Sequence, residues 1–254
     1  KNEIKTLKPV VIFYHGGTWY QGDRIKFTKF GSLLEENDYI GVIPNYILFP
    51  FGSMEDMVND VYTSIKWTYE NIKKYGGDPN RIIVSGHSSG AHLITLTLFK
   101  AYNYMTNDGI TLEPLPALEK VLLLSGPYDF DDYAIFKKTE IDEEVDQGIV
   151  EQLVKVLFRT KSVSPHDIVK SMTTNSVKDS FNVKKFIFYY TNNDDQVPEA
   201  SARKLMNQMK RVGGDNIEIQ YVYNENGFVH NAITVGIRTD DKEQGELYLS
   251  LLKL

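Results

Sequence analysis

Several residues of this chain stand at spacings that could do covalent chemistry. "SGHSSGAH", residues 85–92, contains a G-x-S-x-G pattern made of Gly86, His87, Ser88, Ser89 and Gly90. A serine hydroxyl is a poor nucleophile until a base takes its proton, and that base needs an acid to orient it. "YYTNNDDQVP" supplies Asp194 and Asp195 as candidate acids, and "YVYNENGFVHNA" supplies His230 as the candidate base. "HGGTW", residues 15–19, adds glycines that leave backbone N–H groups open to a developing oxyanion. Together these parts permit attack on a carbonyl carbon through a tetrahedral intermediate and an acyl-enzyme.

Such a constellation needs a scaffold that brings distant segments to one edge. Apolar runs of strand length alternate with helix-period segments along the chain, the pattern of a mostly parallel sheet wrapped by helices. "PVVIFYHGG", "YIGVIPNYI" (39–47), "RIIVSG" (81–86), "KVLLLSGPYD" (120–129), "KKFIFYYTNNDD" (184–195) and "NIEIQYVYN" are predicted strands. "SMEDMVNDVYTSIKWTYENIKKYGG" puts Met54, Met57, Val58, Val61, Ile65, Thr68, Tyr69 and Ile72 on one helical face. "SGAHLITLTLFKAY", "EASARKLMNQMKRVGG" and "DKEQGELYLSLLKL" are further predicted helices, and "SPHDIVKSM" reads as a turn into a short one. "EIDEEVDQGIVEQLVKVLF" reads as a helix with an acidic front, inside a cap insertion expected at about 130–180. One domain over 1–254 is expected.

In this layout Ser88 lies between a buried strand and an apolar helix, on the tight turn that a nucleophile requires. The acid and base follow later strands, and the chain order is Ser, Asp, His. Asp195 and Asp129 (in "GPYD") are the alternative acids. Gly16, Gly17, Thr18 and Ser89 are the candidate oxyanion-hole residues, and His15 is read as shaping that loop. Trp19, Tyr20 and His87 are candidate substrate contacts. Phe49 and Phe51 could join a pocket wall, although Trp19 and Phe51 fit the core equally well. His92 reads as packed or on a helix surface, and His166 as a turn residue of the cap. The acidic run from Asp131 to Asp146 lacks the ligand alternation and central glycine of a calcium loop, so it reads as a solvated face. No metal or organic cofactor is expected.

Composition narrows the field further. The chain has 254 residues, 42% of them hydrophobic, and a formal charge of −6, which argues against a nucleic-acid partner. No apolar run reaches the roughly 18 residues that span a bilayer. The absence of cysteine rules out disulfides and thiolate chemistry. An intracellular, soluble protein is expected, with a targeting or anchoring segment upstream of Lys1 left open because residue 1 is not Met.

"HGGTWYQGDR", "DMVNDVYTSIKWTYENIKKYGGDPNRIIVSGHSSGAH", "LLLSGPYD", "DDQVPEAS" and "FVHNA" together resemble the α/β-hydrolase esterases with an HGGxW oxyanion loop. The likeness is nearest to isoprenylcysteine methylesterase-like proteins, and kynurenine formamidases and small carboxylesterases share a looser version. It runs from about Val10 to the last strand and is weakest across 130–180. It implies an α/β-hydrolase fold with helices on both faces of the sheet and a small helical cap. The family pattern puts the acid four residues before the proline of "VP", which is Asp194 here. His87 and Ser89 depart from the commoner Gln or Glu before the serine and Ala after it. The family also carries two strands before the HGG strand, where only about nine residues precede it here. The implied activity is hydrolysis of an apolar small-molecule carboxylic ester, such as a prenylcysteine methyl ester. Arylformamide hydrolysis is the same-chemistry alternative, and a catalytically inactive receptor the different one.

Overall fold

The structure is a computed structural model and describes residues 6–130 and 163–254. Six strands form one sheet in the order β2-β1-β3-β6-β7-β8, with every neighbouring pair parallel. They are β1 (Lys8–Tyr14), β2 (Ile40–Val42), β3 (Gly77–His87), β6 (Leu118–Leu124), β7 (Val183–Asn193) and β8 (Ile219–Val229). A two-stranded hairpin, β4 (Thr106–Asn107) and β5 (Ile110–Thr111), stands apart.

Parallel strands need helical crossovers, which cover both faces and leave central strands buried on each side. Val10, Val11, Ile12, Phe13 and Tyr14 are accordingly all inaccessible to solvent. Alternation along β1 sends Val10, Ile12 and Tyr14 to one face. There they meet α2 (Met54–Asn71), α3 (Ser89–Tyr102) and α5 (Ala200–Gly213) through Met57, Val61, Ile65, Leu93, Leu96, Leu205 and Met209. Val11 and Phe13 face α1 (Thr28–Glu36), α6 (Ala232–Arg238) and α7 (Lys242–Lys253) through Phe30, Leu34, Ile233, Ile237 and Tyr248. Each such buried side chain contributes about 1.5–3 kcal/mol relative to exposure.

Local signals set the helix ends. Ser53 caps α2 by accepting from the Asp56 N–H, while Asp56 accepts from the Ser53 N–H, a reciprocal capping box. Gly76, at φ 87°, stops the turn after α2 in a left-handed conformation open to glycine. Ser164 caps α4 (Pro165–Ser171), the short helix expected in "SPHDIVKSM".

The structure departs from the sequence expectation in several places. The strand expected over 39–47 pairs only at Ile40–Val42. Pro44 has no N–H to continue a ladder, and beyond it the Ile47 N–H donates to Asp60 Oδ2 at 2.7 Å. Tyr69 lies at the margin of the α2 stripe near the helix end and is exposed, whereas its other seven expected core positions are buried. Neither the helix α1, the hairpin β4–β5 nor the helix α6 was anticipated. The acidic helix expected over 140–158, and with it most of the cap, lies outside the described residues. Among the described residues no helix is long and apolar enough to cross a membrane.

All six strands run the same way, so their carboxyl ends share one edge. His15 follows β1, Ser88 follows β3, Ser125 follows β6, Asp194 follows β7 and His230 follows β8.

Candidate active site

Ser88 sits at φ 52°, ψ −120°, a region that costs a non-glycine residue on the order of 1–3 kcal/mol. Its backbone N–H donates to the Leu124 carbonyl at 2.9 Å, and its carbonyl accepts the His92 N–H at 3.1 Å, so strand and helix hold the turn from both sides. The flanking glycines permit that turn. A Cβ on Gly90 would stand 2.4 Å from the Tyr14 carbonyl oxygen, and one on Gly86 would stand 2.8 Å from the Gly90 carbonyl carbon.

The His230 Nδ1–H donates to Asp194 Oδ2 at 2.8 Å, and both side chains are almost wholly buried. Asp194 is itself fixed from below: Oδ1 accepts the N–H groups of Gln196 at 3.0 Å and Val197 at 2.9 Å. Burial pushes the Asp194 carboxyl up, but the His230 hydrogen bond and charge, the Val197 N–H and Ser125 outweigh it, and the net shift is downward. With Nδ1 carrying the proton, His230 keeps Nε2 free as a base. Asp195 is exposed on the same loop. Asp129 is buried elsewhere, with Lys204 Nζ at 2.7 Å and His166 Nδ1 at 3.8 Å. Asp129, His166 and Asp167 each present one ligand atom within 4.8 Å of the others, and the Lys204 ammonium already supplies a cation there.

The loop after β1 folds over the turn. Gly16 lies so close that a Cβ on it would be 3.1 Å from Ser88 Cβ and 2.8 Å from His87 Nδ1. Gly17 has φ 137°, and a Cβ there would overlap the Gln21 carbonyl at 1.9 Å. Thr18 and Trp19 also have positive φ. The loop's carbonyls are occupied: Gly16 O accepts from His15 Nδ1 at 2.9 Å, and Gly17 O accepts from the N–H groups of Tyr20 and Gln21. Among the described residues nothing accepts from the N–H groups of Gly17, Thr18 or Ser89. His15 is sandwiched between Phe27 and Tyr46, and the Tyr46 hydroxyl donates to the His15 carbonyl at 2.9 Å. Burial lowers the His15 pKa, so the ring is a neutral spacer beneath the loop.

Ser88 and His230 line one cleft of about 320 Å³, together with Gly16, Gly17, Thr18 and His87. His87 is buried, its Nε2–H donates to the His230 carbonyl at 2.9 Å, and the two rings lie 4.7 Å apart. Burial and then the neighbouring His230 push its pKa down to about 3, so it stays neutral. Trp19, 2% exposed, turns away from the cleft lining into the core. Its indole N–H donates to His92 Nδ1 at 3.0 Å, and His92 Nε2–H donates to the Val163 carbonyl at 2.8 Å. Burial lowers the His92 pKa to about 4. Tyr20 is 40% exposed and lies outside the lining, as do Phe49, packed on the core, and Phe51, 85% exposed.

Sequence reasoning missed Gln21, Lys26, Phe27, Gln196, Asn231, Thr234, Val235 and Arg238, which complete the wall. The only local signal was the Ile233/Ile237 spacing just after His230, one apolar turn that would have placed α6 beside the base.

A parallel sheet covered by helices on both faces, with a serine turn, an imidazole and a carboxylate on one edge, defines an α/β-hydrolase fold. Solved structures agree: esterase B from Lactobacillus rhamnosis (HN001) superposes with a TM-score of 0.71 at 16% identity, covering 99% of this chain and 76% of that one. Carboxyl esterase 2 from Tuber melanosporum gives 0.69 at 16% identity, covering 98% and 79%. The chain belongs to the BD-FAE family, whose pattern matches residues 1–209. Curated relatives include the probable isoprenylcysteine α-carbonyl methylesterase ICMEL1 of Arabidopsis thaliana, 26% identical over 219 residues, covering 84% of this chain and 44% of that protein. Esterase LipQ of Mycobacterium tuberculosis is 26% identical over 231 residues, covering 91% and 52%. The chain thus spans about half the length of these relatives.

Proposed function

We propose that this chain is a serine carboxylesterase. The observation that carries the reading is the His230–Asp194 pair at 2.8 Å, set in the same cleft as the strained Ser88 turn. Ser88 Oγ attacks the ester carbonyl while His230 Nε2 takes its proton. The carbonyl oxygen becomes an oxyanion facing the N–H groups of the Gly16–Thr18 loop and of Ser89, whose helix α3 presents its positive end there. Collapse of the tetrahedral intermediate breaks the bond to the alkoxy oxygen, and His230 returns the proton to the departing alcohol. Water then attacks the acyl-enzyme with His230 as base, releasing the acid and restoring Ser88. Asp194 holds the His230 tautomer and stabilises its charged form throughout.

The substrate in this reading is a small-molecule ester with an apolar portion, for which Phe27 and Val235 are the apolar walls of the described cleft. A prenylcysteine methyl ester, with methanol leaving, is one such ester, in keeping with the names of the plant relatives. The test compares p-nitrophenyl acetate hydrolysis by the wild type and Ser88→Ala, with fluorophosphonate labelling alongside. The wild type should turn over and label at Ser88. The variant should lose at least about 1,000-fold in kcat/KM and fail to label. A wild type that neither labels nor turns over any ester of a broad panel would sink the reading.

A further inference from the structure

The wall that sequence reasoning missed is charged in one sense only. The chain as a whole carries a formal charge of −6, yet among the described residues the cleft at Ser88 is lined by Lys26 and Arg238 and by no carboxylate. The remaining new polar residues there, Gln21, Gln196, Asn231 and Thr234, are uncharged. Among the described residues neither Lys26 nor Arg238 makes an ion pair. Lys29, one turn along the same segment, is by contrast neutralised by Asp240 at 2.7 Å. The acid nearest Lys26 in sequence, Asp23, caps its own turn by accepting the Ile25 N–H at 2.8 Å, and the acid nearest Arg238, Asp240, is the one paired with Lys29; neither is in the lining.

The backbone places Lys26, and an aromatic face places Arg238. Lys26 lies in the capped helical turn Arg24–Phe27. The Arg238 guanidinium sits over the Phe27 ring, 5.5 Å from its centroid, and Phe27 in turn stacks on His15 beneath the oxyanion loop. Stacking on an aromatic face leaves the guanidinium edge free for a planar anion, which it can engage through two parallel N–H groups. Two cations that make no ion pair among the described residues, in the wall that Ser88 and the buried Phe27 also line, suit an anion attached to an apolar body.

We propose that Lys26 and Arg238 form a specificity subsite for an anionic group on the ester substrate, a carboxylate or a comparably charged oxyanion. The inference rests on the esterase reading and narrows it: the ester carries a negative charge on either its acyl or its alcohol part. Because both cations are exposed, the attraction is screened by salt.

The experiment uses two pairs of esters matched in shape. On the acyl side, p-nitrophenyl hemisuccinate is compared with p-nitrophenyl methyl succinate. On the alcohol side, 4-acetoxybenzoate is compared with its methyl ester. The readout is the ratio of kcat/KM for the anionic ester to that for its neutral partner, in the wild type, Lys26→Gln/Arg238→Gln and Lys26→Glu/Arg238→Glu. In one pair the ratio should fall about tenfold when both cations are removed, and further on charge reversal. The wild-type ratio should also fall on raising NaCl to about 0.5 M, and that salt dependence should vanish in the Gln variant. The pair that responds assigns the charge to the acyl or the alcohol part. Ratios equal in all three proteins for both pairs, with neutral esters still hydrolysed, would overturn the subsite and leave the esterase reading standing. Failure of the wild type on neutral esters as well would remove the esterase reading and the subsite with it.

Discussion

Asp194→Asn tests the site at its most specific contact. In the wild type Oδ2 accepts from His230 Nδ1 at 2.8 Å, while Oδ1 accepts from the Gln196 and Val197 N–H groups at 3.0 and 2.9 Å. An asparagine keeps an oxygen for the two loop N–H groups and must then turn its NH2 toward His230. Two donors meet, and the imidazole escapes by carrying its proton on Nε2, the nitrogen that has to be bare to accept the Ser88 proton. The charge that stabilised the imidazolium disappears in the same change. Losing tautomer and counter-charge together is expected to lower kcat/KM by roughly 1,000- to 10,000-fold, about 4–5 kcal/mol of transition-state stabilisation. The loop bonds survive and a buried charge is relieved, so urea unfolding should shift by no more than about 1–2 kcal/mol. The assay is p-nitrophenyl acetate hydrolysis at pH 7.5, with Asp195→Asn and Asp129→Asn beside it. Both should stay within about tenfold of the wild type: Asp195 is exposed, and Asp129 faces Lys204 and His166. A folded Asp194→Asn enzyme within tenfold of the wild type would refute the reasoning, the more so if either neighbour were inactivated.

The other predictions concern packing and pH. Gly16→Ala places a Cβ 2.8 Å from His87 Nδ1 and 3.1 Å from Ser88 Cβ, so the loop must lift off the turn; kcat should fall about 10- to 100-fold at a near-native unfolding midpoint, and unchanged kcat would mean the loop does not serve the oxyanion. Trp19→Phe removes the donor to His92 Nδ1 in a buried setting and should cost about 1–3 kcal/mol in urea unfolding, with a neutral result arguing against that bond. Stability should also fall in mild acid. His87 and His92 are held at about 3 and about 4, below the ordinary histidine value of 6.5, so the unfolded chain takes up protons before the folded one does. Their contribution is whole above pH 6.5 and is lost as pH falls toward those values; between pH 7 and 5 each should remove about 2 kcal/mol. Urea midpoints flat or rising over that interval would contradict the buried, neutral assignment, and His92→Gln should make the slope shallower.

Much of the chemistry was legible before any fold was known, because it is local. The G-x-S-x-G turn and the glycine pair after the first strand depend on residues a few positions apart. Strands buried on both faces read as unbroken apolar runs, and "PVVIFY" could hardly be anything else. Where the run was broken by Pro44, periodicity overran the strand, since hydropathy does not register a missing N–H. The margin of the α2 stripe failed likewise: Tyr69 has the right spacing, but only the neighbours at the helix end decide whether a ring is covered.

What the tertiary structure decided was which distant groups meet. Asp194 and Asp195 are chemically alike and adjacent; the family pattern pointed to Asp194, but nothing in the residues themselves made it the carboxylate that turns inward to His230. That depended on the Gln196 and Val197 N–H groups gripping one side chain after the strand ends. Trp19 looked equally suited to a pocket and to the core until His92, carried on α3, offered its Nδ1 inside. Lys26 and Arg238 are ordinary surface residues in sequence; they share a wall with Ser88 only because α6 folds back against the segment before α1. Such assignments are pairwise in space, and a single sequence states only one partner at a time.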